Sequence, residues 1–287
     1  MDAFDNKEIT KDSLVIIGNG FDLAHGLKTG YSDFREWLLQ HDQSGFVQSM
    51  ERIFYGLYGL EENNLWAEFE SALGEIDIDD IHSSYQEDHK GKDIFDDIIE
   101  PTVLSIRGNF TTWIKDINTH QVHPKLSLPK NAYYLSFNYT DTLEALYGIP
   151  KKRICHIHGS IIDNTQLVYG CQNDPVPLSV LDKEEKDNIQ YLVRYKTAEL
   201  LNSGLKKNTA ENIQKNMKFF EGLGNIKKVF VIGHSLAEVD WPYFLEVRRH
   251  VPKEVVWQIT YHSTMEKIRL RSSLLFSGWQ NIQFKRF

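Results

Sequence analysis

Cysteine is nearly missing from this 287-residue chain, which has only Cys155 and Cys171. Two thiols build neither a disulfide framework nor a four-thiolate zinc site, so a reducing cytoplasm is the expected compartment. No apolar run approaches the roughly 18 residues needed to cross a bilayer. The N-terminus is polar and acidic rather than basic then apolar, so neither a signal peptide nor a membrane anchor is expected. A basic surplus is also lacking: 32 lysines and arginines face 40 aspartates and glutamates, a formal charge of −8. Residues 75–100 carry that whole imbalance, ten acids against Lys90 and Lys92, and the remainder is neutral. Such a balance argues against a protein that wraps duplex nucleic acid, which needs a concentrated basic surface. The small clusters at 151–153 and 227–228 read as solvated turns, and the acidic run as loop and solvated helix ends.

What is present is a globular composition. Hydrophobic residues make up 41% and charged residues 25%, and 6 Trp, 13 Tyr and 16 Phe demand burial or stacking partners. Short apolar runs at 14–17, 133–137, 154–157, 167–169, 229–232 and 255–259, bounded by Gly, Asn, Pro or charge, predict strands. Between them, Ile106, Phe110, Trp113, Ile114 and Ile117, and later Ile213, Met217, Phe220 and Leu223, recur at helical spacing. Alternating strands and helices imply an α/β fold with a mostly parallel, Rossmann-like sheet. Helical periodicity alone runs from about residue 34, with Phe34, Trp37 and Leu38 in one helix and Leu65, Phe69, Ala72 and Leu73 in another. The pattern divides the chain into a first strand and glycine turn (1–33), a helical insertion (34–128) and the rest of the α/β domain (129–287). Trp37, Phe54, Tyr55, Tyr58, Trp66 and Phe69 read mostly as the insertion's core.

Four turns, each after a predicted strand, carry polar residues to what would be the sheet's carboxyl edge, where open α/β sheets bind ligands. In Gly18-Asn19-Gly20-Phe21-Asp22, glycines without Cβ atoms let backbone amides approach a phosphate, although Asn19 and Asp22 also suit helix caps. The third glycine of the dehydrogenase fingerprint and the Lys-Ser/Thr of a P-loop are both missing. Asn138-Tyr139-Thr140-Asp141 follows Ser136-Phe137 and supplies carboxamide, hydroxyl and carboxylate, or else an Asx turn and a helix start. His156-Ile157-His158-Gly159 alternates its histidines to opposite faces, so one metal ion cannot take both, while a single His before glycine suits a general base. Gly233-His234-Ser235-Leu236 lacks the second glycine of a nucleophile elbow and reads as a further ligand turn rather than a serine hydrolase.

Taken in order over about residues 14–242, these segments resemble the AbiH family of bacterial phage-defence (abortive infection) proteins. The series is also similar to a diverged sirtuin-like superfamily, with its Gly-Ala-Gly turn, Asn-Ile/Tyr-Asp segment, catalytic His-Gly and Gly-x-Ser turn on a Rossmann-like, NAD-binding sheet. The resemblance implies a cofactor site of Gly18, Asn19, Gly20, Phe21, Asp22, Gly159, Gly233, His234 and Ser235. In it, Gly18 and Gly20 would hold the pyrophosphate, and Gly233 and Ser235 the adenosine half. It implies His158 as base, Asn138 as the group orienting the ribose or the attacking water, and Asp141 as the carboxylate. The position that is acidic in sirtuins is Thr140 here, with Asp141 one residue later, and Asp22 stands where sirtuins usually have Ser. Asp33-Phe34-Arg35 is similar to their cofactor loop, displaced by about four residues.

Sirtuin deacylases need four cysteines for a structural zinc, so the resemblance implies NAD hydrolysis to nicotinamide and ADP-ribose instead of protein deacylation, with no metal. A neutral His beside a ribose hydroxyl can accept a proton, and an Asn fixes geometry without adding charge. The implied partners are NAD or a related nucleotide, a phage-derived trigger and a second copy of the chain. A non-catalytic module that senses a nucleotide and signals in phage defence is the alternative, and a toxin acting on nucleic acid is the less supported third reading.

Overall fold

The computed structural model describes residues 3–54, 66, 69–74, 95–163, 167–171, 189–276 and 278–287. In chain order these form β1 (Ser13–Ile17), α1 (Asn19–Ala24), α2 (Tyr31–Gln40), α3 (Ser44–Ile53) and a short helical turn at Phe69–Ala72. A π-helical turn, Phe95–Ile99, leads into α4 (Glu100–Asp116), then β2 (Tyr133–Ser136), α5 (Thr142–Tyr147) and β3 (Ile154–His156). The remainder is α6 (Ile189–Leu205), α7 (Thr209–Lys215), α8 (Met217–Glu221), β4 (Lys228–Ile232), α9 (Trp241–His250), β5 (Val256–Tyr261), α10 (Thr264–Phe276) and β6 (Ile282–Arg286).

Contacts divide the chain into two units. The first, Met1–Thr29, Ile117–Val168 and Thr209–Phe287, holds one six-stranded sheet whose strands all run parallel in the order β3-β2-β1-β4-β5-β6. This is the order of doubly wound dinucleotide-binding folds, and it reverses between β1 and β4. Both faces of the inner strands are buried. Leu14, Ile16, Leu135, Val229 and Val231 pack on one side with Tyr243, Phe244 and Trp257, while Val15, Ile17, Tyr134, Phe230 and Ile232 pack on the other with Phe21 and Tyr147. A parallel sheet covered on both faces needs such near-continuous apolar strands, which is why they read so plainly from the sequence.

Three elements depart from the expected pattern. Residues 167–169 pair with no strand; instead the Val168 amide donates to the His158 carbonyl at 2.8 Å. A sixth strand, β6, lies at the edge with one polar face, and its Ile-Gln-Phe-Lys-Arg sequence carries too little apolar signal to stand out. The expected helix through Ile213 and Leu223 is broken into α7, α8 and a 3₁₀ turn, because the Asn216 side chain donates to the Asn212 carbonyl at 2.8 Å and competes with the backbone.

The second unit, Gly30–Asp116 and Tyr169–Asn208, is helical. It draws on two stretches of chain, whereas the sequence pattern marks a single insertion over 34–128; Leu128 packs in the first unit's core, and α6 lies along α4. Its centre is aromatic: Phe34 meets Trp113 at 5.0 Å, and Trp66 stacks on Phe69 at 5.4 Å. Asp33, Phe34 and Arg35 are all used inside this unit. The Asp33 carboxylate caps α2 by accepting from the Gly30 amide at 2.9 Å, Phe34 is buried, and Arg35 pairs with Glu51 at 2.8 Å. Leu65, Tyr55, Tyr58 and most of the acidic run lie outside the described residues.

One buried histidine ties α1 to the sheet. The Tyr147 hydroxyl accepts from the amides of Lys125 and Leu126 at 3.2 and 3.3 Å and lies 2.6 Å from His25 Nε2, so its proton points to that nitrogen. His25 Nδ1–H then donates to the Phe21 carbonyl at 2.7 Å, which leaves the ring neutral. Burial holds the His25 pKa below its ordinary 6.5. A depressed histidine contributes stability above the unfolded value and loses it as the pH falls from 6.5. Melting curves of wild type and His25→Gln at pH 7.5 and 5.5 are therefore expected to show the larger acid loss in the wild type; equal losses would contradict this.

Candidate functional site

All four polar turns sit at the carboxyl edge of the sheet, within the first unit. The turn after β1 and the turn after β4 are pressed together backbone to backbone. The Gly18 amide donates to the Ile232 carbonyl at 3.1 Å, the Gly20 amide to the Gly233 carbonyl at 2.8 Å, and the Phe21 amide to the Gly18 carbonyl at 2.9 Å. A Cβ on Gly18 would lie 2.7 Å from the His234 Cα, and one on Gly20 2.8 Å from the Gly233 carbonyl oxygen. The glycines thus permit the apposition of two turns, and the amides of residues 18, 20 and 21 already have acceptors inside the protein. Asn19 is similarly engaged, donating from Nδ2 to the Thr29 carbonyl at 2.9 Å, and Phe21 packs in the core 4.6 Å from the His25 ring. These features stand where the sequence suggests a phosphate cradle.

Asp22, next along α1, is different. It is 1% exposed, and Thr140 Oγ1 donates to its Oδ2 at 2.6 Å, with Thr142 Oγ1 a further 2.9 Å from Thr140. Its other oxygen, Oδ1, is buried with no hydrogen-bond partner. Burial raises the Asp22 pKa to about 6, while the hydroxyls of Thr140 and Thr142 and the nearby Asn138 amide favour its charged form and Asp141 opposes it. Asn138, 5% exposed, makes no side-chain hydrogen bond of standard geometry at either carboxamide atom. Three unsatisfied polar atoms on two neighbouring buried side chains are uncommon, since each costs about 1–3 kcal/mol. Asp141 itself accepts from Thr119 Oγ1 at 2.7 Å and occupies the N-cap position of α5.

The histidines form a second group. His156 turns toward α5, its Nε2 2.9 Å from Glu144 Oε1, whereas His158 turns the other way, its Nε2 3.3 Å from Asp240 Oδ1. Asp240 is shared: its Oδ2 lies 3.4 Å from His234 Nε2. The Leu236 amide donates to His234 Nδ1 at 2.9 Å, so the proton of that ring is on Nε2, facing Asp240. Phe137 packs edge-on against both rings, at 5.1 Å from His158 and 4.3 Å from His234. Gly159 (φ 80°) and Gly233 (φ 63°) turn the chain beside them in the left-handed region. Ser235 is exposed and its carbonyl accepts from Arg269 at 2.7 Å. Beside it lies an open pocket of about 530 Å³ lined by Leu236, Ala237, Glu238, Trp241, Arg269, Ser272 and Ser273. Among the described residues, no three His, Cys, Asp or Glu side chains converge as a metal would require, and no helix is long and apolar enough to cross a membrane.

The same four turns that build this edge fall inside a match to a family model, described as bacteriophage abortive infection AbiH, over residues 14–261. The chain belongs to the AbiH family. Its role is accordingly in abortive infection, the defence against bacteriophage. The matched span takes in β1 through β5 and the segments carrying Asp22, Asn138, His158, His234 and Asp240. No curated protein and no solved structure matches the chain.

Two residues of this AbiH site escape a reading of the sequence. Thr140 appears there as a hydroxyl of the second turn and as the place where an acid is missing, not as the donor to Asp22 that it is. Asp240 lies eight residues beyond β4 in an unremarkable Glu-Val-Asp-Trp stretch, at the start of α9 with Pro242 in its first turn. Nothing local marks it as the partner of two histidines.

Proposed function

We propose that this AbiH protein binds NAD or a related nucleotide at the carboxyl edge of its sheet and hydrolyses the nicotinamide N-glycosidic bond during phage defence. The observation that carries the reading is the Asn138 carboxamide. It is buried just beyond β2, one strand from the reversal in strand order, its nitrogen turned to the Asp22 carboxylate without a hydrogen bond of standard geometry and its oxygen without a partner. A group with paired donor and acceptor oxygens, such as a ribose diol or a ribose with its attacking water, is the complement of a carboxamide. His158 is the base. Its Nε2 lies 3.3 Å from Asp240 Oδ1, and that carboxylate stabilises the ring while it takes a proton from a ribose hydroxyl and later returns it. Water adds to C1′ of the ribose, the C1′–N bond breaks with its electron pair passing to the pyridine nitrogen, and nicotinamide and ADP-ribose leave with one proton released.

Mixing the purified full chain with NAD and following nicotinamide and ADP-ribose over time tests this directly. His158→Ala and Asn138→Ala are each expected to lower turnover about a hundredfold or more while calorimetric affinity for NAD stays within about tenfold. Binding without product in every variant would replace the reading with a nucleotide-sensing module. Loss of RNA or DNA in expressing cells with NAD unchanged would replace it with a nuclease toxin.

A further inference from the structure

Two carboxylates act on one another at the proposed site, Asp22 and Asp141, and only one has the surroundings of a reacting group. Asp141 is half-buried, its Oδ1 taken by the Thr119 hydroxyl, at the start of α5 where a carboxylate favours a helix. Asp22 is held at one oxygen and left open at the other: Thr140 Oγ1 fixes Oδ2 at 2.6 Å, and Oδ1 is buried without a hydrogen bond of standard geometry beside the Asn138 carboxamide, whose amide favours its charged form. A side chain locked through one atom and unsatisfied at the next is pre-positioned for a ligand atom. We infer that Asp22 is the catalytic carboxylate of this site, its Oδ1 and the Asn138 carboxamide together holding the water that attacks the ribose.

The inference rests on the hydrolysis reading above. In the step it assigns, the water's O–H bond breaks as its oxygen forms the new bond to C1′, and that proton passes to Asp22 Oδ1. The nicotinamide leaves with the C1′–N electron pair, and Asp22 returns its proton to solvent. Thr140 acts through Asp22 and is a positioning residue. The charged groups around Asp22 leave it this part: from α1, His25 is turned to Tyr147; from α5, Glu144 is turned to His156; burial, with a smaller contribution from the like charge of Asp141, keeps it basic.

The experiment compares NAD turnover and calorimetric NAD affinity in wild type, Asp22→Asn, Asp22→Ser and Asp141→Asn, with melting curves to establish that each is folded. Both Asp22 variants are expected to lose about a hundredfold or more in turnover, with affinity within about threefold of wild type, and Asp141→Asn to stay within about fivefold. An Asp22→Asn protein that turns over NAD within about fivefold of wild type overturns the assignment while leaving hydrolysis intact. So does an Asp141→Asn protein that loses as much as Asp22→Asn. A wild type that releases no nicotinamide overturns hydrolysis and this assignment together.

Discussion

Gly233→Ala is expected to destabilise the sheet unit strongly. Gly233 has φ 63°, and a Cβ built there would lie 2.3 Å from the Phe21 amide nitrogen and 2.5 Å from the Gly20 carbonyl carbon. The left-handed conformation alone costs a residue with a Cβ roughly 1–2 kcal/mol. The contact adds more, because the atoms in the way are backbone and cannot change rotamer. They are also held by the Gly20 amide's bond to the Gly233 carbonyl and by the close fit of Gly18 against His234. Forcing the turns apart also disturbs the ends of the two central strands. A total of roughly 3–5 kcal/mol is a large part of the stability of a typical domain. A fall of about 10 °C in melting temperature is expected, or failure to accumulate as a folded protein. Gly26→Ala is the control: φ is 86° there, but a Cβ meets nothing within 4 Å. If the two variants melt alike, the clash is not what makes Gly233 necessary.

The second large effect runs the opposite way. Asp22→Asn is expected to stabilise the protein at pH 8. Burial raises the Asp22 pKa from 3.8 to about 6, so above that pH the folded protein carries a buried charge that the unfolded chain solvates freely. Protons are bound more tightly in the folded state, so stability declines as pH rises from about 4 through 6 and stays low beyond; the difference of about two units corresponds to roughly 3 kcal/mol. The amide removes the charge and keeps an oxygen for the Thr140 hydroxyl. A melting temperature above wild type at pH 8, with the gap closing toward pH 4, is the expected result; lower stability at pH 8 would show that the ionised carboxylate is compensated. A group that weakens the fold and is retained at a polar edge fits the trade of stability for activity common at reactive sites.

Much of the frame is legible without coordinates, and for one reason. β1, β2, β4 and β5 are buried on both faces, so each is largely apolar, β5 with Gln258 and Thr260 on one face, and ends before a polar turn, and the turns announce the carboxyl edge. Elements with weaker local patterns are less visible. The edge strand β6 has one polar face, and α7 and α8 are separated by a side-chain hydrogen bond that no periodicity reveals. The glycines illustrate a subtler limit. Their need for bare Cα atoms is evident, but the sequence suggests a phosphate as the neighbour, and the neighbour is the turn after β4, more than 200 residues away.

By itself, then, the sequence determined the α/β class, four inner strands, the polar turns behind them and membership of the AbiH family, because these depend on residue types within a few positions of one another. Only the tertiary structure decided how those turns combine. Asp22 meets Thr140 across 118 positions and Asp240 meets both His158 and His234, while Asp141 is taken up by Thr119. Which carboxylate keeps an unsatisfied oxygen depends on burial and on a donor's distance, and both arise only when the strands align side by side.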